Sequence, residues 1–257
     1  RRGTPYSRPM RVTSAFLLAA LVGCGSSDSG PLDASIDSSV DAAEDASSDA
    51  SVDAGTDAAT DAGADAGCQP TVLLVGGTDV ATQGWTTTSM APATVSYGAD
   101  YVELATTTSS GASIGGQLLL SYPNAVTAGM PFAIEVVMQV VSVNVHNPLD
   151  SGAALMGSFT APFGTGAQRG SMVYLDPAAL GWADDSQTQA FAVTDGAYHT
   201  YVFAVDGSGV ATVRVDGNPA LTRNGFTTNG TFAIGDQTND PNVDSTLRIR
   251  SVTKLCP

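Results

Sequence analysis

Between Phe132 and Val141 every second residue is large and apolar: Phe132, Ile134, Val136, Met138 and Val140, with Glu135 and Gln139 between them. A repeat of two is the repeat of a β-strand, because successive side chains leave a strand on opposite faces. A helix would scatter the same five residues around its whole circumference. This segment therefore predicts a strand with one face on a core and the other toward solvent.

The rest of residues 68–257 agrees with it. Tyr198 to Val205 is apolar on both faces and reads as a central strand. Asp206-Gly207-Ser208-Gly209 supplies a turn, and the next strand sets Ala211, Val213 and Val215 inward with Thr212 and Arg214 outward. Asp216-Gly217-Asn218-Pro219 then ends that strand. No sustained helical period appears, and short apolar runs are broken throughout by Gly, Asn, Asp and Pro. The region is long enough for one sizeable core, which predicts a single all-β domain.

Several of these residues carry a family resemblance. Asp195-Gly196-Ala197-Tyr198-His199, then Asp206-Gly207, then Val213-Arg214-Val215-Asp216-Gly217 resembles the laminin-G/concanavalin A-like lectin superfamily. Tyr198 stands where that family commonly has Trp. Phe232-Ala233-Ile234-Gly235-Asp236 and Leu247 to Leu255 resemble its closing strands. The resemblance implies a two-sheet antiparallel jelly roll with a curved, partly open concave face. It says little about function, since the fold hosts lectins, glycosidases and interaction modules alike.

Ahead of this domain the chain changes character. Arg11, the apolar run Val12 to Val22, Gly23 and Cys24 have the order of a secretory signal, too short to span a membrane. Leu21-Val22-Gly23-Cys24 resembles the bacterial lipobox, which implies cleavage before Cys24 and acylation of its thiol. Met10 reads as the start, so residues 1–9 lie upstream and residues 1–23 form the leader. Gly25, rather than Asp, after the cysteine points to the outer membrane or cell surface.

Residues 24–67 then carry Asp at every fourth position from Asp33 to Asp65, with no aromatic residue. Like charges at that spacing repel on a helix, and the few apolar residues cannot offset the entropy of ordering. The segment is predicted to be an extended, disordered tether. Residues 68–257 hold fourteen acidic side chains against six basic ones, a net charge of −8. That balance argues against nucleic acid or anionic lipid as a partner, because phosphate binding needs basic patches.

Cys68 and Cys256 bracket the domain and are the two cysteines left once Cys24 is lipidated. An exported domain with one pair has one intramolecular connectivity, so a Cys68–Cys256 disulfide is predicted. The alternative is two thiols that are buried or paired between chains.

Candidate sites are fewer. Glycosidases on this fold carry Glu-x-Asp-x-x-Glu on one strand, whereas the domain has only Glu103 and Glu135, with Asp100 the one nearby acid. No Gly-x-Ser-x-Gly elbow accompanies His146 and His199. His199 reads as a structural histidine inside a strand, and His146 in its loop as a ligand candidate. Gly181-Trp182-Ala183-Asp184-Asp185 sets an aromatic face beside two carboxylates, either the combination that sugar sites use or a tryptophan packed under a loop. Asp236, Asn239, Asp240, Asn242 and Asp244 form an oxygen-rich loop that is either a calcium cradle or a solvated turn. Glu135, Gln139, Thr212, Arg214, Arg248 and Arg250 are expected to form an outward polar strip, flanked by the Trp182 loop, that binds sugar hydroxyls or merely pairs across strands.

The expected protein is a lipid-anchored envelope lipoprotein presenting a non-catalytic, carbohydrate- or protein-binding sandwich. The alternatives are a diverged glycan-active hydrolase and a structural envelope protein without a discrete ligand.

Overall fold

The computed structural model describes residues 68–106, 115–160 and 169–256. The predicted leader, Cys24 and the tether lie outside the described residues. The described part is all-β apart from one short 3-10 turn at Ala81–Gln83 among the assigned elements. It forms two antiparallel sheets packed as a jelly-roll sandwich.

One sheet runs in the order β13 (Asn218–Arg223), β12 (Ala211–Val215), β11 (His199–Val205), β6 (Phe132–Val143), β15 (Ser245–Leu255), β4 (Val102–Ala105) and β3 (Thr94–Tyr97). An eighth strand, β1 (Thr71–Val75), pairs with the end of β15 beyond the stretch that β4 uses. The other sheet runs β10 (Thr188–Ala190), β9 (Ala179–Trp182), β8 (Met172–Asp176), β7 (Ala154–Met156), β14 (Phe232–Asp236), β5 (Gln117–Tyr122) and β2 (Thr86–Met90).

The predicted alternation holds in β6. Phe132, Ile134, Val136, Met138 and Val140 are buried in the main core, and Glu135 and Gln139 are half-buried on the opposite face. In β12 Ala211, Val213 and Val215 point inward, while Thr212 and Arg214 point out. β11 is central, between β12 and β6, yet only one of its faces is sealed: Thr200, Val202 and Ala204 are half-exposed. The expectation of cover on both faces therefore fails for β11.

It is the second sheet that is covered on both sides. Leu119, Ala154, Met156, Phe159, Met172, Ala183 and Ala233 make a second apolar cluster, separate from the main core. The alternating residues of these strands (Leu118, Leu120, Leu155, Val173) belong to the main core, so this cluster lies on the outer face. The candidate site is built on the same outer face, at Tyr174 and Asp176 of β8.

Cys68 and Cys256 are bonded, with their Cα atoms 5.6 Å apart, inside the ordinary span for disulfides. The register Thr71↔Lys254 explains the geometry: the bridge closes the first and last strands where they already pair.

Candidate functional site

Loop 144–150 follows β6 and lies over the outer face of the second sheet. It is rooted where the Asn144 amide donates to the Asp244 carbonyl at 2.9 Å, next to the start of β15. The next residues reach β8. The His146 backbone N–H donates to Asp176 Oδ1 at 2.8 Å, and its Nδ1 lies 2.7 Å from Asp176 Oδ2. The imidazole stacks on Tyr174 with ring centroids 3.7 Å apart. Tyr174 is oriented in turn by a 2.8 Å bond between its hydroxyl and Thr188. The register leaves room for this stack: Tyr174 pairs with Gly181, where a Cβ would come within 2.5 Å of the tyrosine hydroxyl.

The other imidazole nitrogen, Nε2, lies 3.0 Å from Asp185 Oδ1. Asp185 sits in the turn between β9 and β10 with φ +58°, in the left-handed region that Asp tolerates better than most residues. Its side chain remains 55% exposed. Asn147 fixes the far side of the loop: its Oδ1 accepts from the Leu149 and Asp150 amides, and its Nδ2 donates to Asp240 Oδ2 at 3.1 Å. Arg169, almost fully buried, donates to the carbonyls of Leu149 and Ala183 and clamps the loop to the β9 turn. Gln237 adds a donor to the Leu149 carbonyl.

Loop 144–150 thus joins the two acidic loops that the sequence singles out. Around it lie exposed Asp185 and half-buried Asn147 and Asp240, and the loop itself carries two exposed apolar side chains, Val145 at 63% and Leu149 at 72%.

Several expectations are corrected here. Trp182 is not an exposed platform. It is the last residue of β9, pairs with Val173, faces the main core and has no exposed surface. Its ring meets Phe203 edge-on at 5.8 Å. Asp184 turns away from Asp185 and is held by Arg223 and Ser186. Burial raises the Asp184 pKa, but those hydrogen bonds outweigh it and leave the carboxyl below the usual range.

The polar strip is real, but it lies on the outer face of the eight-stranded sheet. There Arg248 pairs with Glu103 at 2.8 Å and Arg250 with Asp100 at 2.9 Å, and Arg250 packs on Tyr198. Gln139 donates to the Gly196 carbonyl. Glu135 and Arg214 share one row through Val202. The Trp182 loop belongs to the other sheet and does not flank this strip, so Glu135, Gln139 and Arg214 form no single site with Asp184 and Asp185.

The calcium loop is spent on its own turns. Asp236 is buried at the end of β14, with Oδ2 2.6 Å from Thr106 Oγ1 and Oδ1 accepting from the Thr238 amide. Asp240 Oδ1 accepts from the Asn242 amide and side chain. Asn239 points its amide at the Met90 sulfur. Among the described residues no group of three or more His, Cys, Asp or Glu side chains is placed to hold a metal ion. Asp236, Asn239, Asp240 and Asp244 do not converge in such a group in this arrangement.

Burial pushes the Asp236 pKa up to about 8, with the neighbouring Asp244 and Asp150 charges acting the same way against the bonds from Thr106 and Thr238. A protonated Asp236 can donate to Thr106 Oγ1, which frees the Thr106 hydroxyl for the Ser245 carbonyl. His199 is similarly enclosed, by Asp216 at 2.7 Å and Asp195 at 3.0 Å, as expected of a structural histidine. Burial lowers its pKa, but the two carboxylates outweigh this and raise it overall.

Both folded-state values lie above the unfolded ones, so both contributions are complete below the unfolded pKa and fade as pH rises. For Asp236 that window runs from the ordinary carboxylate range to about pH 8, with a slope of at most about 1.4 kcal/mol per pH unit. Denaturant midpoints should therefore fall from mildly acidic to mildly alkaline pH. Asp236→Asn should flatten the decline, and an unchanged slope in that variant would refute the assignment.

No protein-family model matches the sequence, and no curated protein matches it either. Among solved structures, the chain is similar to a carbohydrate esterase of the Shiga toxin-encoding bacteriophage phi24B, at 17% identity, covering 74% of this chain and all of that one, with a TM-score of 0.47. It is also similar to the exoplasmic domain of VIP36 in its calcium- and mannose-bound form, at 12% identity, 72% and 88% coverage and a TM-score of 0.47. A third is the carbohydrate recognition domain of Emp46p, at 12% identity, 71% and 94% coverage and a TM-score of 0.44. All three TM-scores are below 0.5, so function has to be argued from this chain's own side chains.

Proposed function

We propose that this chain is a lipid-anchored protein of the bacterial envelope, held through Cys24, whose sandwich binds glycans without acting on them. The observation that carries the binding reading is the surface of loop 144–150. There Asp185, Asn147 and Asp240 are held in place by hydrogen bonds to His146, to backbone amides and to one another. Sugar sites combine a few such fixed acceptors and donors, which orient hydroxyls, with apolar contact for the ring. Val145 and Leu149 offer that contact.

β15 begins beside the root of this loop and ends next to Cys256, bonded to Cys68. Its eleven residues separate the loop's root from the bridge by about 35 Å at a strand's rise.

The hydrolase alternative draws on the Asp176–His146 pair, which resembles two members of a nucleophilic triad. In such a triad the second ring nitrogen faces a hydroxyl or thiol. Here it faces the Asp185 carboxylate instead of a hydroxyl or thiol, which favours the binding reading over a triad hydrolase.

One experiment tests anchor and site together. Expressing cells are stained with a labelled glycan that an array has shown the wild-type protein to bind. Cys24→Ser should abolish cell staining while the released protein still binds. Asp185→Ala should keep the protein on the cell and weaken binding by about tenfold or more, the effect of losing a charged hydrogen bond. Glu135→Ala and Arg214→Ala should change nothing. Binding indifferent to Asp185, or Cys24→Ser protein still on the membrane, would reject the corresponding half.

A further inference from the structure

The domain contains two Asn-Gly pairs, Asn224-Gly225 and Asn229-Gly230, and the structure treats them in opposite ways. Asn-Gly is the sequence in which an asparagine side chain is most open to attack by the next backbone nitrogen, since glycine presents no side chain to obstruct it. Whether the attack occurs depends on the freedom of both partners.

At Asn229 both are immobilised. The side-chain oxygen accepts from the Phe159 and Thr231 amides, and the side-chain nitrogen donates to the Phe159 carbonyl and to Thr160 Oγ1. The attacking atom, the Gly230 nitrogen, already donates to Thr228 Oγ1 at 3.0 Å, and Gly230 is buried. At Asn224 neither partner is held. Both residues are exposed, and the Asn224 side chain makes no hydrogen bond among the described residues. Gly225 has φ +69°, and nothing lies within 4 Å of where its Cβ would be. The two residues lie just after β13 and line an open pocket with Arg223.

We propose that Asn224 is a site of spontaneous deamidation, with water as co-reactant, and that Asn229 is protected. The Gly225 nitrogen attacks the Asn224 side-chain carbonyl carbon. The bond from that carbon to the side-chain nitrogen breaks, and ammonia leaves with the proton from the glycine nitrogen. Water then opens the cyclic imide at either carbonyl, giving aspartate or isoaspartate. No oxidation or reduction takes place. Each conversion places a new carboxylate beside Arg223, whose guanidinium already serves Asp184, Ser186 and the Gly170 carbonyl.

The purified protein, incubated in mildly alkaline buffer, tests this. Isoelectric focusing should show a more acidic form accumulating, and peptide mapping should place the Asn→Asp mass change at residue 224. Conversion there should run more than tenfold faster than at residue 229, where side-chain hydrogen bonds must first be broken. Asn224→Gln should remove the acidic form, and Gly225→Ala should slow it. In the unfolded chain, in denaturant, the two sites should convert at similar rates, because the protection belongs to the fold. Equal rates in the folded protein, or faster conversion at Asn229, would overturn the proposal. So would no conversion at Asn224 while the denatured chain reacts.

Discussion

Replacing Cys68 and Cys256 together by serine is expected to lower the unfolding free energy by up to about 5 kcal/mol, the chain-entropy figure for a loop of this length. The bridge closes 188 residues, almost the whole domain, so nearly all of the unfolded domain is constrained by it. In the folded state the loss should be local. β1 has exposed residues at Thr71, Val72 and Val75, and its pairing with β15 carries a register break between Val72 and Leu74. Leu74 is nonetheless fully buried, and Trp85 donates its indole N–H to the Leu73 carbonyl, so some of β1 is anchored without the bond. Hydrogen exchange on the double variant should show β1 opening well before β6 and the rest of β15. Loop 144–150, rooted at the other end of β15, should keep its protection and its ligand. A stability loss below about 1 kcal/mol would mean that the unfolded chain is compact enough to make the loop constraint ineffective.

The parts of the fold legible in the sequence are those fixed by local periodicity or by simple counting. The alternation in β6 follows from five residues in a row of ten, and the disulfide from a single available pair. His199 was readable as structural because it falls within an apolar strand. Loop 144–150 was not readable as the centre of a site. The partners of His146 are 30 and 39 residues away, and the partner of Asn147 is 93 away. No local pattern encodes contacts at that range. The signals that existed were indirect: Asn147-Pro148 and Asp176-Pro177 each mark a residue biased away from helix, at a chain reversal. The inward turn of Asp236 was available in principle. Continuing the alternation Phe232, Ile234 by one more residue places it inside, but its acidic neighbours made it look like part of a solvated loop.

Trp182→Ala is expected to cost about 3–5 kcal/mol of stability, as truncating a buried aromatic does, and to leave glycan affinity unchanged in whatever fraction stays folded. Gly181-Trp182-Ala183-Asp184-Asp185 in sequence is compatible with a sugar platform or with a tryptophan packed under a loop, and the structure selects packing. In the structure the turn begins after Trp182, whose pairing with Val173 sets its ring inward. There it packs against Phe203 and Phe226, and Phe203 in turn lies against Phe132 and Phe232. The Arg223 guanidinium lies 5.1 Å from the indole centroid, between the core and the Asp184 carboxylate. The alanine variant would leave a cavity beside Phe203 and Phe226 and remove the aromatic partner of a half-buried cation. Trp182→Phe separates packing from polarity. The indole N–H is buried without an acceptor among the described residues, a state that itself costs about 1–3 kcal/mol. Phenylalanine removes that donor while keeping most of the aromatic volume, so its net cost should be well under half that of alanine. Equal losses in the two variants would show that the indole's size alone governs this part of the core. A folded Trp182→Ala protein that had lost glycan binding would return the residue to the binding site.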